Sequence, residues 1–388
     1  MPLSFIFACK KAMERETVAL CALNNIFGYH PSLAFKLIEK AGSAEALFGG
    51  SVPESNHPEL TDRLNEDALK WAVKELEKVE KGGFRFIPFG DDDYPRALAE
   101  LDDPPLGIYL NGSTSPAEIF SLRPMVAIVG TRDISPYGTM WCKRIVKALA
   151  DAAVQPCIVS GLAWGADGIA HKTALELGLK TIGVMATGIE SIYPWQHSDL
   201  AMQIVRSPGC GLVTDYPMGT SPVALNFVRR NRIIAALSSA TIVIESKKKG
   251  GSLMTAKYAV DYNRDVYAVP GRLDDERSKG CNSLIGSHMA EIVSSPEELV
   301  ERLGLRPRSA NSRDRRSAFY GRLVRRYGAE GAQVTVGMAV FDNPGAGFPE
   351  LSAAANVPYV TVLETVGILE VDGLVTTDIL QRCTVTDW

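Results

Sequence analysis

The chain has 388 residues, 46% hydrophobic and 22% charged, with a formal net charge of −4. That length favours two or three domains, each able to bury a core. The mild acidity argues against a tail-driven binder of duplex DNA but leaves room for a local basic patch. No apolar run approaches the ~20 residues needed to cross a bilayer, and the start, Met1 to Cys9, lacks the basic leader of a signal peptide. Seven cysteines, at 9, 21, 142, 157, 210, 281 and 383, are scattered singly, and the five histidines show no metal-ligand spacing. The expectation is a cytoplasmic protein with reduced thiols, no disulfide frame, no metal, no cofactor and no membrane partner.

Residues 1–83 read as a small helical domain of SAM/helix-hairpin-helix-like type. Apolar Val18, Leu20, Leu23, Ile26, Leu33, Phe35, Leu37 and Ile38 are interrupted by Gly28 and Pro31, and Trp71, Val73, Leu76 and Val79 recur at helical spacing. The glycine turn within Leu20 to Phe48 is compatible with a DNA contact, with packing or protein contact the plainer expectation.

The pattern changes at Phe84. Short β-branched runs follow at Phe84–Phe89, Gly107–Leu110, Met125–Val129, Cys157–Val159, Thr181–Met185, Leu212–Asp215, Thr241–Glu245 and Asp265–Val269. Amphipathic helical stretches lie between them at Tyr137–Ala153, Asp167–Leu177, Phe227–Leu237 and Leu253–Tyr262. Strands that are apolar throughout and alternate with helices predict an α/β fold, a Rossmann-like, mostly parallel sheet over residues 84–303 covered on both faces. Ligands of such sheets settle at the carboxyl ends of the strands, near a switch point.

Residues 304–320 form a basic stretch, with Arg306, Arg308, Arg313, Arg315 and Arg316 among Pro, Ser and Asn, and predict a flexible linker. Over 321–388, helical Phe348–Ala355 and Val360–Leu369 and a hairpin signal at Asp372-Gly373 outline a winged helix.

The residues that carry chemistry fall at the predicted carboxyl ends of strands. They are Gly130-Thr131-Arg132, Ser160-Gly161 opening the run to Gly168, Thr187-Gly188, and Lys247-Lys248-Lys249-Gly250-Gly251-Ser252, the last opening a helix. A glycine turn that leads into a helix presents backbone N–H groups and the positive end of the helix dipole, which together attract an anion. With Arg132 and the run Arg229-Arg230-Asn231-Arg232, four such turns predict a groove for phosphates. His171 reads as a structural helix residue. The patterns G-x-x-x-x-G-K-[ST] and G-x-G-x-x-G are absent, and no conventional catalytic set stands out, so the site reads as built to hold rather than to cut. Of the interleaved aromatics Tyr137, Trp164, Tyr193, Trp195 and Phe227, most are expected in the core. Phe227, two residues before the paired arginines, is the expected platform for stacking unpaired bases.

These motifs resemble the DNA-processing protein A (DprA/Smf) family: VGTR (129–132), SPYG (135–138), SGLAWGADGIAH (160–171), TGIESIYP (187–194), FVRRNRIIAALS (227–238), GGSLMTA (250–256), VPG (269–271) and GCNSLI (280–285). The resemblance covers the whole middle domain. It implies a homodimer, formed through the Rossmann-like domain, that binds single-stranded DNA without sequence preference and delivers it to the RecA recombinase in natural transformation, with no catalytic residue. Carried onto this chain, the DNA-binding residues would be Arg132, Ser160, Gly161, Arg229, Asn231, Arg232, Gly250, Gly251 and Ser252; Gly130, Thr131, Phe227 and Lys249 join them from the reading of the turns and aromatics above, thirteen in all. Two departures stand out: Thr214-Asp215-Tyr216-Pro217 replaces the family's Ser-Glu-x-Pro, and Ala224 occupies a position that is commonly cationic. The rival reading is a nucleoside-monophosphate phosphoribohydrolase of the lonely-guy type, but Lys257 stands roughly where that family's catalytic glutamate would fall.

Overall fold

The computed structural model describes residues 3–49, 57–120, 124–305, 312–378 and 381–386. They form two compact units, Met1–Pro307 and Arg308–Trp388. No single helix among them is long and apolar enough to cross a membrane.

The first unit is built on a nine-stranded sheet: β1 (Arg85–Pro88), β2 (Gly107–Asn111), β3 (Met125–Val129), β4 (Cys157–Ser160), β5 (Thr181–Val184), β6 (Gly211–Thr214), β7 (Ala240–Val243), β8 (Asp265–Ala268) and β9 (Glu291–Ile292). Their spatial order is β1-β2-β6-β5-β4-β3-β7-β8-β9. The pairs β1–β2 and β2–β6 are antiparallel, and the six from β6 across to β9 are parallel. The eight predicted strands are all present. The ninth has only two residues, both exposed, too short for a period-two pattern to show.

Side chains alternate along each buried strand, and the two sets meet different helices. Met125, Ala127 and Val129 join Ile233, Ala236 and Ala256 on one face. Val126 and Ile128 join Ile145, Leu149 and Ala170 on the other. Both faces are therefore covered, which is why these strands read as continuous apolar runs. The chain winds from β3 through β4, β5 and β6, then crosses back to place β7 on the other side of β3. The switch point lies between the carboxyl ends of β3 and β7.

The N-terminal helices Leu3–Phe27, Pro31–Ala41 and Glu66–Lys81 belong to this same compact unit. Val79 shares an apolar cluster with Tyr109, Leu162 and Met185, and Asn24 donates to the Asp215 carbonyl at 2.8 Å. The Gly28 turn, a conceivable DNA contact from sequence, faces the protein instead. Its Gly28 and Tyr29 carbonyls each accept from Arg229 at 2.7 Å.

In the second unit, helices Ser312–Tyr327, Ala332–Asp342, Phe348–Ala355 and Tyr359–Val371 pack with a three-stranded sheet, β10 (Ala346–Gly347), β11 (Val375–Thr377) and β12 (Arg382–Val385), in the order β10-β12-β11. Two expectations change. The stretch expected as a flexible linker is helical from Ser312 onward, because Phe319 and Leu323, one turn apart, are buried in this unit's core. Arg316 makes a two-pronged pair with Asp342 at 2.8 and 2.9 Å. Arg306 and Arg308 lie outside the described residues, as do the side chains of Arg313 and Arg315. The second change concerns Asp372-Gly373, which ends a helix rather than turning a hairpin. Gly373 has φ 65°, its N–H bonds the Glu370 carbonyl at 2.9 Å, and the Leu374 N–H bonds the Leu369 carbonyl at 2.9 Å. This is a Schellman closure, and the true hairpin joins β11 to β12.

Candidate functional site

At the β3/β7 switch point opens a cleft of about 660 Å³. Three pieces of chain wall it: Val129 to Asp133 after β3, Ser246 to Ser252 after β7, and the amino end of helix Ala224–Leu237. Nine of the thirteen predicted site residues line it: Gly130, Thr131, Arg132, Phe227, Asn231, Lys249, Gly250, Gly251 and Ser252. Ser160, Gly161, Arg229 and Arg232 do not.

The reasons are local. The Ser160 hydroxyl is fully buried and donates to the Ile128 carbonyl at 2.5 Å. The Gly161 N–H, expected to be free for an anion, already donates to the Asp167 carboxylate at 3.1 Å, and the Ala163 N–H adds a contact at 3.4 Å. This second turn thus carries its own internal anion. Arg229 is held by the Gly28 turn and lies over the Tyr29 ring, 4.6 Å from its centre. Arg232 is buried against Asp215, 2.8 Å away, and reaches the Asp103 carbonyl at 2.7 Å. The Thr131 N–H is also engaged, by the Glu245 carbonyl at 2.7 Å.

What faces the cleft is a set of cations beside two uncapped helix starts. Helices Ala224–Leu237 and Ser252–Asp261 have no side-chain cap at Val223 or Gly251, so their positive dipole ends are not capped by a side chain, although the Asn226, Leu253 and Met254 N–H groups already bond the Val223, Gly250 and Gly251 carbonyls. A Cβ added at Gly251 would meet nothing within 4 Å. The backbone there borders open space where a ligand oxygen can approach. Arg132 and Lys249 are exposed at the rim. Lys247 is partly neutralised by Asp133 at 3.7 Å, which also pairs with Arg277 at 3.0 Å.

Three lining residues, Arg230, Asp167 and Tyr193, were not among the thirteen predicted site residues. Arg230 is buried, donating to the carbonyls of Gly161, at 2.7 Å, and Val184. It meets Asp167 around Gly161, where a Cβ would lie 2.6 Å from the guanidinium and 2.7 Å from the carboxylate. Only glycine fits between them. Burial pushes the Arg230 pKa down to about 10, opposed by Asp167, and burial raises that of Asp167, opposed by Arg230. The guanidinium remains charged at neutral pH and stands against the Asp167 carboxyl beneath the cleft. The third is Tyr193, whose ring centre lies 5.4 Å from that of Phe227.

Phe227 is half-buried, with the Arg132 guanidinium 5.0 Å from its ring centre. The expectation that most of the other aromatics are core is not met: Tyr137, Trp164, Tyr193 and Trp195 are 39%, 45%, 44% and 73% exposed. Among the described residues no group of His, Cys, Asp and Glu could hold a metal ion.

His171 is structural, as expected. It is fully buried, its Nδ1 is 2.7 Å from the Thr181 hydroxyl, and burial pushes its pKa down to about 3. An unfolded chain binds this proton below about pH 6.5 and the fold does not, so stability should fall as pH drops from 6.5 toward 3, by up to about 1.4 kcal/mol per pH unit. Denaturant midpoints at pH 7 and pH 5 should show His171→Gln losing part of this acid sensitivity.

A doubly covered, mostly parallel sheet with an anion-attracting cleft at its switch point defines a Rossmann-like binding protein. The model of the family DNA recombination-mediator protein A matches residues 85–304, and the chain belongs to that family. It is 37% identical over 274 residues to Protein Smf of Synechocystis, covering 70% of this chain and 67% of that one. DNA processing protein A from Streptococcus pneumoniae superposes with a TM-score of 0.56 at 29% identity, over 70% of this chain and 92% of that one. The same protein from Helicobacter pylori, whose structure concerns its single-stranded DNA binding mode, gives 0.50 at 28% identity, over 57% and 95%.

Proposed function

We propose that this chain binds single-stranded DNA in the β3/β7 cleft without sequence preference. It would act as a recombination mediator, protecting incoming strands in natural transformation and passing them to the RecA recombinase in the cytoplasm. The carrying observation is the juxtaposition of Arg132 and Lys249, two uncapped helix starts and the Phe227 ring around one open cleft. Cations and N–H groups suit phosphates of any sequence, and an aromatic face suits any unpaired base. The single-strand binding of the Helicobacter pylori relative supports the same reading. The protein would work as a homodimer formed through the sheet unit.

The second unit, read as a winged helix, is poorly equipped for a duplex groove. Its helix Tyr359–Val371 contains Glu364 and Glu370 and no Lys or Arg, and exposes Val360 and Leu363, which favours protein contact. The phosphoribohydrolase reading gains nothing from the cleft. Of its two carboxylates, Asp133 is ion-paired and Asp167 is sequestered with backbone donors.

Gel-shift titration against single- and double-stranded oligonucleotides of equal length, at two salt concentrations, tests the proposal. Tighter, salt-dependent and sequence-indifferent binding of the single strand is expected. Equal affinity for duplex, or affinity independent of salt, would overturn it.

A further inference from the structure

Exposed aromatics stand as a strip on the loops that follow β4 and β5, linked by the chain from Tyr193 to His197. Its inner end is Phe227, covered by Arg132 on one side and flanked by Tyr193. From Tyr193 the chain passes through Pro194 to Trp195, which opens the short turn Trp195–His197. His197 closes the strip, with its ring centre 4.5 Å from that of Trp164. His197 is itself fixed, with Nδ1 2.8 Å from the Leu162 carbonyl. A Cβ at Gly168 would lie 2.8 Å from its imidazole. Five residues, Tyr193 to His197, therefore tie the cleft at one end to Trp164 at the other.

Scattered exposed apolar residues need no explanation, but two exposed indoles on the loops that follow the paired strands β4 and β5 do. A tryptophan usually buries 150–250 Å² or so of surface, yet Trp195 is 73% exposed and Trp164 45%. Trp164 is held against His197, so its orientation is fixed without burial. Exposed rings beside a cationic cleft, one of them held against His197, have the form of a stacking platform.

We propose that Trp195 and Trp164 are a second base-stacking site, continuing the path of a single strand from the Arg132–Phe227 cleft outward along the carboxyl edge of β4 and β5. The inference rests on the cleft reading. It adds to that reading the direction the strand takes and a length threshold for full affinity.

The test compares a short oligothymidylate, just sufficient for the cleft, with progressively longer ones, using the full chain. In the unaltered protein affinity should rise with length, and tryptophan fluorescence should be quenched only by the longer strands. Trp195→Ala should lower affinity for long strands about five- to a hundredfold, the worth of one base–aromatic stack, and leave the short one unchanged. Trp164→Ala should do the same more weakly, and Trp195→Phe should restore most of the loss, which separates stacking from misfolding. Long-strand affinity unaltered in Trp195→Ala, or short- and long-strand affinity falling together, would overturn the proposal. So would a changed oligomeric state with normal binding, since it would make the strip a protein interface. If Arg132→Ala leaves short-strand binding intact, the cleft reading itself fails, and that outcome does not depend on either tryptophan.

Discussion

Replacing Arg132 by alanine is expected to lower affinity for single-stranded DNA about ten- to a hundredfold at low salt, the worth of one charge-assisted hydrogen bond. The loss should be the same for every sequence. Arg132 stands at the carboxyl end of β3, exposed, with its guanidinium over Phe227. It can therefore meet a phosphate with one edge while supporting the ring on which a base stacks. Each phosphate contact contributes about −0.7 to the slope of log affinity against log salt, so the variant's slope should be shallower by that amount. Adding Lys249→Ala should flatten it about as much again. Arg132→Lys keeps the charge but not the planar stack, and should give an intermediate affinity with nearly the original slope. Because the side chain is on the surface, unfolding midpoints should barely move. An Arg132→Ala protein with an unchanged salt slope would remove the cleft from the DNA path.

The parts of the site that were legible in sequence are those fixed by chain order. A glycine or a lysine soon after an apolar strand must lie on the carboxyl edge of the sheet, where ligands of such folds settle; that β3 and β7 are the neighbours at the switch point is visible only in the strand order. Gly130, Arg132, Lys249 and Gly251 followed from chain order alone. The run from Arg229 to Arg232 did not, because it lies on a helix. Successive residues there diverge by about 100°, so four in a row cannot share one groove. Arg229 turns to the N-terminal helices, Arg230 inward beneath the cleft, Asn231 toward Gly251 and Arg232 toward Asp215. Helical phase was the signal that separates them. Asp167 was hidden for a different reason. Its carboxylate reaches back across a loop to Gly161, a tertiary closure with no sequence period. Exposure of the rim aromatics was equally invisible, since composition does not say which side of a turn faces solvent.

Arg232→Ala should do the opposite of Arg132→Ala. The Arg232 side chain is 3% exposed, 2.8 Å from the Asp215 carboxylate and 3.7 Å from that of Asp103. Asp215 is itself buried, and its other oxygen has no hydrogen-bond partner among the described residues. Deleting the guanidinium would strand that carboxylate in a low-dielectric setting, at a cost of about 3–5 kcal/mol. The unfolding midpoint should drop steeply, enough to lower the yield of folded protein. Arg232→Met combined with Asp215→Leu removes both charges together, and should regain most of the loss, as paired apolar replacements of buried ion pairs do. Binding by the folded fraction of either variant should keep the full salt slope, because this arginine points away from the cleft. A flattened slope at unchanged stability would instead return Arg232 to the phosphate path and require the middle of helix Ala224–Leu237 to contact the strand as well.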